Sequence, residues 1–383
     1  MQISNDIKYV GVDDRALDLF ESQYQVPNGI SYNSYLIVDE QIAVMDTVDA
    51  KFGGEWIEKL RAELGGREPD YLVIHHMEPD HSSNISLFAG EFPKARVVAS
   101  DKAFVMMKQF FGDDYSDRRV VVRDGDTLSL GKREHKFFTA PMVHWPEVMV
   151  SYDSFDGALF SADAFGKFGV ASADEPWEDE ARRYYFCIVG KYGAQTRALL
   201  NKISHLDIRR ICPLHGPVLS MNIEHYLELY RTWSEYEAED DGVFVAYSSV
   251  YGNTKRAALM LEEKLRELGA RVVSCDLARS DMSRAIENAF KYSRLALDTT
   301  TYNAEIFPFM REFISELLER GYKNRTVGII ENGSWAPMAA KRIKELFSKS
   351  SNIKICENTV SIRSSLDEAG ADRIGILARE LLS

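Results

Sequence analysis

Four side chains of metal-ligating type, His76, Glu78, Asp80 and His81, crowd the run His75-His76-Met77-Glu78-Pro79-Asp80-His81. Two neutral imidazoles and two carboxylates would bring two negative charges, enough to offset much of the charge of two divalent ions. Pro79 biases Glu78 away from helical backbone. The run is therefore expected to be a loop that folds around an ion, unlike an HExxH helix with both histidines on one face. The alternative is a polar loop whose acids and imidazoles hydrogen-bond one another.

Three further residues stand where strands end. His144 lies in Ala140-Pro141-Met142-Val143-His144-Trp145-Pro146, His215 in Ile211-Cys212-Pro213-Leu214-His215-Gly216-Pro217, and Asp163 just after Ala158-Leu159-Phe160-Ser161. Prolines and a glycine stiffen the two histidine turns, which suits ligands that must not swing. A carboxylate at a strand end could bridge two ions, although each of the three, taken alone, could equally be a turn residue. His75 is expected to support its ligand neighbour. His135, His205 and His225, in charged or helical surroundings, are expected at the surface. Together the four imidazoles and three carboxylates are too many for one tetrahedral zinc and natural for two five- or six-coordinate ions. Mixed oxygen and imidazole donors suit iron or manganese as well as zinc.

The apolar run Tyr71–Ile74 reads as a buried strand, so the cluster would sit beyond a strand's carboxyl end. Other strands read at 34–38, 41–44, 96–98, 120–122, 136–139, 148–151 and 158–161, with helices near 55–64, 101–110, 178–189 and 196–204. Two strand clusters with helices outside suggest a layered sandwich with a site at its edge. The acidic run closing at Gly242 looks like a boundary, giving expected domains 1–242 and 243–383. Beyond it, strands at 243–247, 271–275, 294–297, 326–330 and 359–361 alternate with helices at 253–268, 283–291, 307–320, 337–347 and 366–382. That alternation predicts a doubly wound, flavodoxin-like α/β domain.

Its first strand is followed by Ser248-Ser249-Val250-Tyr251-Gly252-Asn253-Thr254. Hydroxyls, backbone amides and the positive end of the next helix would cradle one phosphate there. There is neither the GxxxxGK[ST] of a nucleotide P-loop nor a GxGxxG dinucleotide fingerprint. Thr300-Thr301-Tyr302-Asn303 and Asn332-Gly333-Ser334-Trp335 follow the third and fourth strands and converge on the same edge. Tyr302 and Trp335 could stack on an isoalloxazine ring. Three such loops on one sheet edge make FMN the expected ligand.

The chain has 383 residues, a net charge of −13, 45% hydrophobic and 27% charged residues. Its length suggests two domains, and its acidity argues against a nucleic-acid partner. No apolar run reaches the ~18 residues that cross a bilayer, and the start lacks the pattern of a secretory signal. Four scattered cysteines form no CxxC pair, which argues against a disulfide framework or an appended tetra-cysteine module. A reducing cytoplasm is the expected setting, with no membrane partner.

The order His-x-[His/Glu]-x-Asp-His, then a distant His, Asp and His, resembles the metallo-β-lactamase superfamily. Zinc hydrolases there usually carry histidine at the third motif position, where this chain has Glu78. With a flavodoxin-like domain following, the chain resembles the flavodiiron proteins, or A-type flavoproteins, over essentially all of its length. The resemblance implies an αββα metallo-β-lactamase-like sandwich followed by a doubly wound flavodoxin-like domain. It implies two irons, one on His76, Glu78 and His144, the other on Asp80, His81 and His215, with Asp163 bridging. The family's counterpart of His81 turns away from the metal in some members. In the flavodoxin-like half, Asp298 and Thr299 stand where the flavodoxin family commonly has glycine or another small residue.

The implied activity is reduction of dioxygen to water, of nitric oxide to nitrous oxide, or both, as a defence in anaerobes. The implied donor is rubredoxin or a reduced deazaflavin, and the implied assembly a head-to-tail homodimer or a dimer of dimers. Two rivals belong to other classes: a zinc-dependent hydrolase with a regulatory flavodoxin domain, and an electron carrier with a structural metal site.

Overall fold

Leu72 and Val73, the apolar residues ahead of the histidine cluster, are buried on both faces of their strand, as expected inside a covered sheet. In the computed structural model, which describes residues 3–383, that strand, Tyr71–Val73, is interior to a six-stranded sheet. The sheet runs Ile7–Tyr9, Tyr35–Val38, Ile42–Met45, Tyr71–Val73, Arg96–Ala99, Arg119–Val121. A second sheet of five strands runs Thr127–Ser129, Glu134–Thr139, Met149–Asp153, Ala158–Phe160, Arg210–Cys212. Ile37, Met45, Val73 and Val98 from the first sheet meet Phe137, Met149 and Phe160 from the second in one apolar layer. On its other face the first sheet packs Leu36, Val44 and Val97 against Trp56 and Leu60 of helix Gly53–Leu64 and Phe104 and Met107 of helix Asp101–Phe111. Helix Gly193–Ile203 lies against Glu134–Thr139 of the second sheet. The expected four-layer αββα sandwich results.

The chain divides into two units, the first ending at Arg231 and the second spanning Thr232–Ser383. The acidic residues taken to mark the boundary at 242 are built into the second unit, because strand Asp240–Tyr247 begins with them. Asp240 pairs with Tyr292 before a bulge that resets the register at Val243.

The second unit holds five parallel strands in the order Val272–Asp276, Asp240–Tyr247, Tyr292–Tyr302, Arg325–Asn332, Ile353–Ile362. Helices Asn253–Glu267 and Glu368–Leu381 cover one face through Ala257, Leu261, Ile374 and Leu377. Helices Met282–Lys291, Pro308–Glu319 and Ala339–Phe347 pack on strands of the same sheet. The strand order is that of the expected doubly wound domain. It reverses between the first and third strands, and ligands bind at such a switch point.

Several short elements were not expected from the sequence: strand pairs Val12–Asp14 with Ile30–Tyr32 and Leu19–Phe20 with Tyr24–Gln25, strand Arg210–Cys212, and helices Pro79–Ser82 and Ile85–Glu91. Among the described residues, no helix is long and apolar enough to cross a membrane.

Candidate functional site

The histidine cluster departs from its strand as an extended segment and then turns. Glu78 has φ −58° and ψ 137°, the conformation its following proline favours. Pro79 then occupies the first turn of the short helix Pro79–Ser82, where its missing N–H costs no hydrogen bond. The expected open loop is thus half loop and half helical turn, and the turn sets Asp80 and His81 on the site. The Ser82 hydroxyl donates to the Met77 carbonyl at 2.8 Å, and the Thr47 hydroxyl to the His81 carbonyl at 2.8 Å, so the turn is held from both sides.

The other three residues follow strands of the second sheet: His144 after Glu134–Thr139, Asp163 after Ala158–Phe160, His215 after Arg210–Cys212. All seven side chains converge in two groups, His76, Glu78, His144 and Asp163 in one, Asp80, His81 and His215 in the other. In the first, His144 Nε2 is 3.0 Å from both Glu78 Oε2 and Asp163 Oδ2, and His76 Nε2 is 3.2 Å from Glu78 Oε2 and 3.4 Å from Asp163 Oδ2. In the second, His81 Nε2 is 3.1 Å from His215 Nε2 and 3.3 Å from Asp80 Oδ2. Asp163 faces both groups, since its other oxygen, Oδ1, is 3.3 Å from His81 Nε2. His81 turns inward.

Buried polar atoms without partners are rare in folded proteins. Here Asp80 Oδ1 and Oδ2 and Asp163 Oδ1 are all buried with no hydrogen-bond partner among the described residues. Carboxylate oxygens and imidazole nitrogens aimed at shared points are what a pair of cations would satisfy.

Neighbours the sequence reading missed fix the ring orientations. His76 Nδ1 lies 2.8 Å from Glu147 Oε1, which also accepts the Met77 N–H at 2.8 Å. His215 Nδ1 donates to the Ser31 carbonyl at 2.8 Å, which fixes its tautomer and leaves the Nε2 lone pair facing the site. The rings of Phe20 and Tyr184 each lie 5.4 Å from that of His215, and Trp145 lies 5.2 Å from His76. Glu147 stands three residues beyond His144 on the same proline-flanked turn, the one signal that could have pointed to it.

Charge is unevenly placed. Burial opposes protonating His144, but hydrogen bonds to Asp163 and Glu78 outweigh it and push the ring up to about 9. Burial lifts Asp80 to about 7, opposed by the charges of His81 and His76 and aided by those of Glu78 and Asp163. Burial and the neighbouring His81 bring His215 down to about 3. Burial disfavours ionised Asp163, yet His76, His144 and His81 hold it well below the ordinary carboxylate range.

His75 does not face this site. Its Nδ1 is 2.6 Å from Asp46 Oδ2 and its Nε2 is 2.8 Å from the Ser151 hydroxyl, so it ties the cluster's strand to the second sheet. His135, expected at the surface, is buried. Strand alternation turns it inward although Arg133, Glu134 and Lys136 flank it, and burial together with His75 and Arg133 brings it down to about 3. His205 and His225 are exposed, as expected.

In the second unit a cleft of about 660 Å³ opens at the strand-order switch point. Of the expected residues, Ser249, Val250, Tyr251, Asn253, Thr254, Thr300, Thr301, Tyr302, Asn303, Asn332, Gly333, Ser334 and Trp335 line it. Ser248 instead turns its hydroxyl toward Thr299, at 2.8 Å, and is fully buried. Gly252 contributes conformation: its φ of 91° at the start of helix Asn253–Glu267 is a left-handed turn that disfavours a side chain. Its N–H donates to the Ser249 hydroxyl at 3.1 Å. Tyr251 and Trp335 are 93% and 92% exposed, unusual for aromatics without a partner surface.

Thr254 and Thr300 join hydroxyls at 3.0 Å across the cleft floor. Ser364, which the sequence reading missed, lines the same cleft and exchanges two backbone bonds with the Asn332 side chain, at 3.0 and 3.1 Å. It lies just beyond the fifth strand, so the strand-end rule that found the other loops would have found it too.

Residues 30–216 match the family described as ODP family beta lactamase. Over 354 residues the chain is 28% identical to an anaerobic nitric oxide reductase flavorubredoxin of Escherichia coli, covering 89% of this chain and 74% of that protein. An uncharacterized protein of Methanocaldococcus jannaschii is 27% identical over 364 residues, 94% of this chain and 91% of its own. Among solved structures, rubredoxin oxygen:oxidoreductase from the anaerobe Desulfovibrio gigas matches with a TM-score of 0.92 at 25% identity, covering 100% of this chain and 97% of that one. The flavodiiron protein from Giardia intestinalis matches with a TM-score of 0.90 at 26% identity, covering 100% and 95%.

Proposed function

We propose that this chain, similar over nearly its whole length to flavodiiron proteins, is an oxidoreductase that reduces dioxygen to water, nitric oxide to nitrous oxide, or both. In this reading the first unit carries a non-haem diiron centre and the second carries FMN. His76, Glu78 and His144 would hold one iron, Asp80, His81 and His215 the other, with Asp163 between them. The observation that carries the reading is the two-sided Asp163, with Oδ2 3.0 Å from His144 Nε2 and Oδ1 3.3 Å from His81 Nε2.

When bound, FMN and the paired irons supply the two or four electrons that these reductions consume. The protein does the rest. Glu147 and the Ser31 carbonyl hold the His76 and His215 rings in place, and three carboxylates concentrate negative charge that favours iron in its higher oxidation state. Phe20, Tyr32 and Tyr184 surround the His215 ring and keep bulk water from that side.

In the second unit, Thr254, Thr300 and the N-terminus of helix Asn253–Glu267 suit a phosphate. Tyr302 and Trp335 offer ring faces to a flavin. The external donor in this reading is a rubredoxin-like protein or a reduced deazaflavin. The setting is cytoplasmic, and the assembly is a head-to-tail homodimer or a pair of such dimers.

The test begins with metal and flavin analysis of the purified chain, expected to give two irons and one FMN. Anaerobic photoreduction then precedes parallel electrode assays with each gas. Two zinc ions per chain with lactam or thioester hydrolysis would overturn the reading, as would a photoreduced protein that consumes neither gas.

A further inference from the structure

The second unit buries a carboxyl group that none of the chemistry above uses. Asp298 lies on strand Tyr292–Tyr302 and is fully buried, and neither of its oxygens has a hydrogen-bond partner among the described residues. Across the sheet it pairs with Tyr247 on one side and Ile330 on the other, and Ile330 pairs with Val360. All three neighbours belong to the apolar layer beneath helices Asn253–Glu267 and Glu368–Leu381. One acid thus interrupts a row built for hydrocarbon.

Its place along the strand matters. Alternation puts Thr300 on the same face, two residues or roughly 7 Å further along. The Thr300 hydroxyl meets that of Thr254 at 3.0 Å on the floor of the cleft. Asp298 therefore lies one layer below the hydroxyls and helix N-terminus that suit a phosphate.

We propose that Asp298 is a neutral carboxylic acid beneath the phosphate end of the cleft, and that its proton is linked to the cofactor: the FMN phosphate is retained only while Asp298 is uncharged. The inference rests on the FMN reading above. An unpaired carboxylate in an apolar layer is far costlier than the neutral acid, and a phosphate of charge about −1.5 to −2 overhead adds repulsion. Ionisation sends the Asp298 proton to solvent and leaves two anions facing across one layer of side chains.

Burial alone accounts for the raised proton affinity of Asp298. The titratable groups around it supply no compensating cation. Tyr247 and Cys356 lie in the apolar layer, Glu262 is paired with Arg266, and Asp276 with Arg279. Lys255 and Arg256 on the first helix, and Asp372, Arg373 and Arg379 on the last, are exposed.

The experiment uses the full-length chain and Asp298→Asn, with Asp298→Ser as a second variant should the first fold poorly. Thermal midpoints are measured from pH 5 to 8.5. A native state that keeps a proton the unfolded chain gives up above the ordinary carboxylate pKa loses stability as pH rises. The variant's midpoint should therefore gain on wild type steadily with pH. Release of FMN and of riboflavin, which lacks the phosphate, is followed by recovery of flavin fluorescence from about pH 7 to about 9.5. Wild type should lose FMN affinity at least tenfold across that range, relative to riboflavin, and the variant should not.

Parallel midpoint curves overturn the neutral-acid assignment. An FMN-to-riboflavin ratio with the same pH course in both proteins overturns the linkage alone. A widening midpoint gap in a chain that binds neither flavin overturns the FMN reading and leaves the neutral acid standing.

Discussion

Protons and cations compete for the same atoms in the first unit. With His144 pushed up to about 9 and Asp80 lifted to about 7, metal entering at neutral pH must displace protons. Iron affinity, measured by competition with a chelator, should therefore rise between pH 6 and 9, and a flat profile would contradict the assigned ligands. Glu147 offers a sharper probe. Glu147→Ala removes the acceptor of the His76 ring and should weaken iron binding about 10- to 100-fold, read by the same competition, with the fold intact by circular dichroism. The seven candidate ligands were legible in the sequence because residue type and strand-end position point to them directly. Glu147 was not, since its partner lies 71 residues away in the chain and only the closing of the two sheets brings them together. His135 was misjudged because its charged neighbours masked a strand alternation too short to read.

Elements succeed or fail by length. The helices of the second unit were legible to within a few residues because each repeats its apolar pattern over two or more turns, whereas the last strand, Ile353–Ile362, starts six residues before its expected start at 359. Strand Tyr292–Tyr302 outruns its expected end at 297 because Thr299 and Thr300 pair with Glu331 and Asn332, so a ladder continues where hydrophobicity stops. The two- and three-residue strands and the four-residue helix of the first unit carry no period at all. Caps are visible only in the fold. The Thr301 hydroxyl accepts the N–H groups of Met338 and Ala339 at 2.9 and 3.2 Å, closing the start of helix Ala339–Phe347. Thr301→Val should cost about 1 kcal/mol of stability and loosen FMN, measured by chemical denaturation and flavin release, while iron content stays unchanged.

At the scale of the molecule, each unit has its own hydrophobic core and its own candidate site, so the two cofactors should be separable. Asp163→Ala is expected to lose paired iron, measured by elemental analysis, while the flavin-to-protein ratio stays at that of wild type. Full iron with full activity in that variant would remove Asp163 from its bridging role. The division into two architectures was legible from the change in strand and helix rhythm. Its position was not, because the last two acidic residues of the run open a strand, Asp240 pairing with Tyr292. One consequence concerns the order in which the protein matures on the ribosome. Both sheets of the first unit contribute candidate ligands, so the candidate metal site exists only once that sandwich has closed, and the last of its residues, His215, precedes the second unit entirely. The cleft of the second unit is lined in part by Ser364, beyond its fifth strand. Synthesis therefore lets the first site be filled while the second unit is still emerging, and the cleft for FMN forms later.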